Sequence, residues 1–242
     1  MTMTLLSVVR DVCAAVGVTI PVSVFSNITG NRTMQEMLSL ANEMAQRIAY
    51  DNRDWTMLKK TNTIVGDGVT TAWDLPADYK RMLLTSNVWR STSTQSPMRF
   101  VPDTDEWLNR RVDNGTSDNA WGEWTMLGGQ LHIFPALEVD QTAYFGYLHR
   151  NCVRLASAGF GDSFLADGDG YALDERVLKL GMIWQWKAQK GSPYAEDMGT
   201  YGDALTYAMG HDSPGPIIIG RRPISANARY AYPFDAPTGY IT

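Results

Sequence analysis

The stretch "LKLGMIWQWKAQKG" runs from Leu178 to Gly191 and follows a loop rich in aspartate. Successive residues of an α-helix are about 100° apart, so Trp184 and Trp186 lie on different faces. Trp184 shares its face with Val177 and Leu180, which predicts that Trp184 is the inner of the two. A helix that is apolar on nearly every side must be surrounded. The stretch therefore predicts either the central helix of a domain or a helix between a domain and a neighbouring subunit.

The composition of the whole chain indicates a globular protein with a weakly charged surface. Of its 242 residues, 44% are hydrophobic and 19% are charged, and the formal net charge is -5. No block of lysine and arginine occurs, which argues against electrostatic clamping of nucleic acid. Arg10 and Asp11 interrupt the first apolar stretch, so no membrane span is predicted there. Cys13 and Cys152 form no paired motif and are expected to be buried thiols of a cytosolic protein.

Helical periodicity marks both ends of the chain. Apolar residues recur every three or four positions from Leu5 to Val16, and Gly17 ends that run. Thr33 is the predicted N-cap of a second helix, with Glu36 completing a capping box. Helical spacing returns from Asp174 to about Gly210 and is broken at Gly191-Ser192-Pro193.

A β-type pattern fills the middle of the chain, from about Thr61 to Asn151. Gly66-Asp67-Gly68 and Gly128-Gly129 are both predicted hairpin turns. Leu83–Trp89 is predicted to be a strand, and "TAYFGYLHRN" is predicted to be the last strand of the module. Asp103 is the expected cap of one short helix. The segment therefore predicts a mostly antiparallel β module.

The predicted fold class is α+β, in which N- and C-terminal helices form a bundle that carries an inserted β module and an extended arm. The predicted boundaries are 1–60 for the N-terminal helices, 61–151 for the β module, 152–212 for the C-terminal helices and 213–242 for the arm. The arm holds five of the eleven prolines and several aromatic residues. Disordered tails are usually poor in aromatics, so the arm is expected to become ordered on a surface outside its own core.

The residue pattern contains no recognised catalytic, metal or cofactor motif, so no catalytic residue, metal or cofactor is predicted. His132, His149 and His211 have no companions at metal-ligand spacing. The four aspartates of "GDSFLADGDGYALDE" suggest calcium, but the pattern lacks a third alternating ligand. The favoured interpretation is a turn-rich loop in which Asp174 caps the next helix. An aromatic platform for carbohydrate is a weaker alternative, since the chain has eight tryptophans and eleven tyrosines.

Several segments resemble the head-tail adaptor, or connector, proteins of tailed bacteriophages and prophages. The strongest likeness is Leu173–Leu205, which resembles the C-terminal helical block of that family. Other segments follow in the family's order: "LLSVVRDVCAAVGV", "LSLANEMAQRIAYDNRDWTMLKK", "DLPADYKRML", "GGQLHIFPA" and "YLHRNCV". The resemblance covers roughly residues 4 to 210 and depends on collinear order rather than on a chemical motif.

The resemblance implies a structural virion protein of the neck region, assembled in the bacterial cytoplasm, and not an enzyme. Such a protein forms a ring of identical subunits, usually twelve, beneath the portal protein. It docks the next tail component, and genomic DNA passes through its lumen without sequence-specific binding or any membrane contact. The runner-up function is a carbohydrate-binding module of a phage tail or surface protein, and a third is a metal-dependent hydrolase. The interface candidates are Trp184, Trp186, Ile217, Ile218, Ile219, Arg221, Arg222, Tyr230, Tyr232 and Phe234.

Overall fold

Two helices begin and two helices end the described chain, and strands fill most of the part between them. The computed structural model describes residues 3–26, 28, 30–84, 86–92, 96–112 and 121–212, and the side chain of Arg111 also lies outside the description. The helices are α1 (Leu5–Val16), α2 (Arg32–Tyr50), α3 (Thr104–Val112), α4 (Glu175–Gln189) and α5 (Ala195–His211), and a 3-10 turn covers Thr56–Leu58. The strands are β1 (Lys59–Val65), β2 (Ala72–Asp74), β3 (Tyr79–Met82), β4 (Trp89–Arg90), β5 (Arg99–Phe100), β6 (Glu123–Leu127), β7 (Gln130–Phe134), β8 (Thr142–His149), β9 (Val153–Arg154), β10 (Phe160–Gly161) and β11 (Gly170–Tyr171). The fold class is therefore α+β, as the sequence predicts.

Helix α4 lies at the centre of the helical part. It packs against α1, α2, α5 and β11, so its apolar residues meet structure of the same chain on several sides. Gly181 permits the close approach of α2, because a Cβ atom at that position would lie 2.6 Å from Cε of Met44. The apolar character of the stretch at Leu178 follows from this central position. Contacts with other described elements of the same chain therefore bury most of the apolar surface of α4.

Two separate clusters of buried side chains form the hydrophobic core. The larger cluster joins residues of α1, α2, α4 and α5 with residues of β8, β9 and β11, among them Leu148, Val153 and Tyr171. The smaller cluster joins residues of β1, β6, β7 and β8, among them Ile64, Ile133 and Phe145. All described residues belong to one compact unit. The segment boundaries at residues 60, 151 and 212 remain predictions. The proposed arm, 213–242, lies outside the described residues.

The ends of the first two helices show which capping predictions are correct. Gly17 ends α1 with φ 73° and donates its backbone N–H to the carbonyl of Cys13, as expected of a left-handed glycine cap. The prediction that Thr33 caps α2 is wrong. Asn31 is the cap, and its Oδ1 accepts from the N–H groups of Thr33 at 3.1 Å and Met34 at 3.4 Å. Asparagine caps at least as well as threonine, so α2 begins earlier than the capping-box pattern indicated.

The strands form three small sheets. In the first, the order is β1-β8-β3, and β4 also pairs with β8; in the second it is β2-β7-β6-β5; in the third it is β10-β9-β11. Every pairing is antiparallel except the parallel pair of β5 and β6. The prediction of a mostly antiparallel module is confirmed. The third sheet follows β8 in the chain, so the prediction that β8 is the last strand is wrong.

The predicted hairpin at Gly66-Asp67-Gly68 is not present. Strand β1 pairs with β8, whereas β2 pairs with β7 in a different sheet. The turn instead packs against the loop that precedes β8, where the N–H of Gly66 donates to the carbonyl of Gln141 at 2.7 Å. A Cβ atom at Gly66 would lie 2.3 Å from the carbonyl oxygen of Glu138. The glycine is required by close backbone contact between two loops rather than by a hairpin.

The other turn signals of the β module have mixed outcomes. Gly128 and Gly129 have φ values of 60° and 79° and join β6 to β7, which confirms that hairpin. The strand predicted from Leu83 to Trp89 is wrong over most of its length. The N–H of Ser86 donates to the carbonyl of Leu83 at 3.1 Å, so the chain turns there between β3 and β4. Both of those short strands pair with β8 instead.

Candidate interaction surfaces

The two tryptophans of α4 have different environments. Trp186 is only 6% exposed, and Nζ of Lys190 lies 4.6 Å from the centre of its indole. Trp184 is half-buried, and its indole lies 6.0 Å from the ring of Tyr201 on α5. The prediction that Trp184 is the inner residue is wrong. Trp186 shares its face with the fully buried Met182, and α5 covers the opposite face only in part.

The other predicted interface residues lie outside the described residues, and their contacts with a partner remain predictions made from sequence. They are Ile217, Ile218, Ile219, Arg221, Arg222, Tyr230, Tyr232 and Phe234.

An apolar groove opens where the start of α4 meets the end of α5; we call it the α4–α5 groove. It has a volume of about 570 Å³, and Met3, Trp55, Met57, Tyr207 and His211 are among its lining residues. Trp55 is 3% exposed, whereas Met57 is 53% and Tyr207 is 66% exposed. A groove of this size with an aromatic lining is in the range of ligand and side-chain binding sites.

Internal donors satisfy two of the acidic groups at this groove. The Asp174 carboxylate caps α4, as the sequence predicts, and accepts from the N–H groups of Arg176 at 2.8 Å and Val177 at 3.1 Å. The Asp212 carboxylate accepts from the N–H of Thr56 at 3.0 Å and forms an ion pair with Arg53 at 3.4 Å. The Arg176 side chain is exposed on the rim beside Glu175.

A second exposed apolar surface lies on the β module; we call it the valine tip and define it as Val65, Val69 and Val139. These side chains are 54%, 82% and 68% exposed, respectively. Large apolar side chains that cluster at the surface often mark interaction sites. The tip is formed by the two loops that meet at Gly66, since a Cβ atom at Gly68 would lie 3.3 Å from Cγ2 of Val139.

Hydrogen bonds make the valine tip rigid. The Asp67 carboxylate accepts from the N–H groups of Val69 at 2.9 Å and Thr70 at 2.7 Å. The hydrogen bonds from Thr70, first from its hydroxyl, lower the pKa of Asp67 to about 2, so this carboxylate is ionised at neutral pH. Across the tip, the N–H of Gly68 donates to the carbonyl of Leu137 at 2.9 Å. Glu138 and Asp140, both exposed, flank the valine of the second loop.

The aspartate loop before α4 serves a structural purpose. Asp169 is 1% exposed, and its carboxylate accepts from the N–H groups of Ala156, Leu165 and Ala166. Oδ1 of Asp167 accepts from the N–H of Val24 at 2.9 Å. The other oxygen of Asp167 accepts from the hydroxyl of Ser23, so the oxygens of both carboxylates already have internal donors. In the described ranges, no group of three or more histidine, cysteine or acidic side chains is arranged to hold a metal ion.

Glu123 is a buried charge that the sequence analysis missed. It is fully buried in β6 and accepts from Arg110 of α3, and Arg99 lies 3.6 Å away. Glu106 completes the group by pairing with Arg110 at 2.7 Å. These pairs fasten α3 to the sheet of β5 and β6. The alternation of residues along β6 does not show which face of the strand carries Glu123. Only the packing of α3 against the sheet reveals that Glu123 pairs with Arg110.

The tryptophans offer little support for a carbohydrate platform. Trp55, Trp107, Trp124 and Trp186 are buried, and the other four are half-buried. A stacking platform needs an exposed ring face, which none of these residues presents in full. The carbohydrate alternative therefore remains a prediction from composition.

Comparison with known proteins adds no assignment. Neither a protein-family model nor a curated protein matches the chain. Among the described helices, none combines the length and apolarity needed to cross a bilayer.

Proposed function

We propose that this protein is a head-tail adaptor of a tailed phage or prophage, and that it acts as a structural ring rather than as an enzyme. The observation that carries the proposal is the presence of two exposed apolar surfaces, the α4–α5 groove and the valine tip, on one α+β unit. A ring of identical subunits needs two different complementary surfaces on each subunit. The collinear resemblance along residues 4 to 210 supports the same function.

In this proposal, helices from both ends of the chain form a bundle and the β module is inserted between them. The shared core cluster of α1, α2, α4 and α5 supports that arrangement. The segment 213–242 acts as an arm that binds a neighbouring adaptor or the portal protein. It contains Arg221, Arg222 and Arg229 but only one acidic residue, Asp235, whereas the whole chain has a net charge of -5. An arm of this charge is suited to an acidic partner surface.

The acidic balance of the chain also suits a channel through which DNA slides. A lumen lined with lysine and arginine would hold the phosphate backbone, whereas a neutral or negative wall lets it pass. The proposed partners are further copies of the chain, the portal protein and the next tail component, and the proposal needs no cofactor.

Deletion of residues 214–242 tests the role of the arm. We expect the truncated protein to remain folded, because the described residues pack around two hydrophobic core clusters of their own. Its attachment to purified portal rings should be weaker than that of the full chain in a sedimentation assay. Circular dichroism of both proteins is the control for folding. Equal decoration of the portal by the two proteins would show that the arm has no part in attachment.

A further inference from the structure

We propose that the N-terminal half of α5, residues 195–203, is a hinged flap that opens away from α4 while the rest of the fold stays intact. Opening of this flap controls the exposure of Trp184, whose indole lies against α5. The inference concerns the single chain and does not rest on the adaptor function. Four features of α5 carry it: its glycines, its low burial, its attachment at one end and the unpaired indole N–H beneath it.

Three glycines weaken α5 without serving its packing. A Cβ atom at Gly199, Gly202 or Gly210 would meet no described atom within 4 Å outside the backbone of the helix itself. Gly181 of α4 differs, because the close approach of α2 requires it. Glycine inside a helix destabilises the helix relative to alanine, since it has more backbone freedom to lose. The glycines of α5 therefore favour opening of the helix.

The flap is also the less buried half of α5. Of residues 195–200, all but Asp197 are exposed. The side chain of Tyr194, at the N-cap, makes no capping hydrogen bond, whereas Asp174 caps α4. The buried residues of α5 all follow residue 203; they are Ala204, Leu205 and Ala208. Segments with little buried apolar surface open locally at low cost, so the flap can open before the remainder of the helix does.

The C-terminal end of α5 is anchored. The carboxylate of Asp212 accepts from the N–H of Thr56 at 3.0 Å and pairs with Arg53 at 3.4 Å. Arg53 also donates to the carbonyl of Met209. These bonds tie the end of the helix to the chain that precedes β1, so this end stays in place when the flap opens.

The other end of α5 is held more weakly. Nζ of Lys187 pairs with Oδ2 of Asp197 at 2.6 Å, but each side chain is 28% exposed. Ion pairs with this access to water contribute little to stability. The chain that joins α4 to α5, residues 191–194, is exposed throughout. This connection is the hinge, and the helix bends near residue 203.

Trp184 lies beneath the flap. Its ring centre is 6.0 Å from that of Tyr201 in the flap and 6.4 Å from that of Tyr194 at the hinge. Its Nε1 is buried and has no hydrogen-bond partner among the described residues. A buried donor without an acceptor carries a desolvation cost that contact with water removes. Opening of the flap hydrates this N–H and exposes the half-buried ring.

Native-state hydrogen exchange of the full chain, measured by NMR in urea concentrations below the unfolding transition, tests the proposal. The N–H of Met198 donates to the carbonyl of Tyr194 at 2.9 Å, so residues 198–203 report on the closed helix. After correction for intrinsic rates, we expect their amides to exchange roughly a hundredfold faster than those of residues 180–184 in α4. Their rates should change little with urea, because local opening exposes little surface, whereas the rates in α4 should rise steeply.

Glycine variants locate the opening. Gly199→Ala and Gly202→Ala should each slow the exchange of residues 198–203 about fivefold, since alanine stabilises the closed helix. Asp197→Asn should speed it roughly two- to threefold through loss of the ion pair with Lys187. Gly210→Ala is the matched control, because it lies in the anchored end and should change these rates by less than about twofold. The NMR spectrum of each variant shows whether it is folded.

Two results would overturn the inference. Exchange of residues 198–203 at the rates of α4, with the same dependence on urea, would mean that α5 opens only when the whole fold does. Equal slowing by Gly199→Ala and Gly210→Ala would mean that α5 opens as one unit. Either result leaves the adaptor function standing, because attachment to the portal is measured separately.

Discussion

Trp186 closes one side of the larger core cluster, and its burial gives a test at the scale of single residues. We expect Trp186→Ala to lower the free energy of unfolding by about 3–5 kcal/mol, because the change removes a large buried side chain and leaves a cavity. Trp184→Ala should cost less, about 1–2 kcal/mol, since Trp184 is only half-buried. Urea unfolding of both variants measures the difference. Equal losses would mean that the two indoles are equally buried.

His149 gives the fold a dependence on pH. Burial, and then the nearby charge of Lys60, lower the pKa of His149 below its ordinary value, and its Nδ1 accepts from the N–H of Asn151 at 3.2 Å. The unfolded chain therefore binds more protons than the folded chain between the lowered pKa and about 6.5. Stability from this residue is fully present above that range and declines as the pH falls through it.

His149→Asn is the matched variant for this prediction, because the asparagine amide oxygen can replace Nδ1 as an acceptor and does not titrate. We expect urea unfolding of the wild-type chain to lose stability between pH 7 and pH 5 more steeply than the variant. Asp78, whose carboxylate pairs with Lys60 at 2.6 Å and accepts from Tyr147 at 2.9 Å, is unchanged in both proteins. Parallel pH profiles for the two proteins would contradict the account of His149.

At the scale of elements, the contact between the loops at Gly66 and Glu138 is the feature most sensitive to a single atom. Gly66→Ala places a Cβ atom against backbone atoms, which cannot move as a flexible side chain can. We expect a loss of about 1–3 kcal/mol in the free energy of unfolding, measured with urea. Gly30→Ala is the control, because a Cβ atom there would meet no atom of the described residues within 4 Å. A similar stability of both variants would show that the loops separate without cost.

Local signals predicted the helices better than they predicted strand partners. The glycine at position 17, the cap at Asp174 and the turn at Gly128 each act within a few residues, so the sequence displays them directly. The partners of β1 and β2 depend on contacts that span more than fifty residues, which no local pattern records. The pair of Glu123 and Arg110 spans a much shorter stretch of chain, but it depends on how α3 packs against β6, which no local pattern records either.

At the scale of the whole molecule, α4 occupies the centre of one chain, which accounts for much of its apolar surface without a neighbour. Support for an oligomer therefore comes from the exposed surfaces elsewhere on the molecule and not from α4. Neither surface could be predicted from sequence. The groove combines Met3, Trp55 and Tyr207, and the tip combines Val65 with Val139, so each exists only after distant segments have come together.

The adaptor function is tested most directly by the mass of the native assembly formed by the full chain and purified portal rings of the same phage genome. Native mass spectrometry should show a complex heavier than the portal ring by a fixed whole number of 26.9 kDa chains, twelve in the expected ring. The isolated chain can remain monomeric under the same conditions without conflict, since partner binding can order the contacts. A portal mass that stays unchanged at saturating chain concentration would contradict the adaptor function.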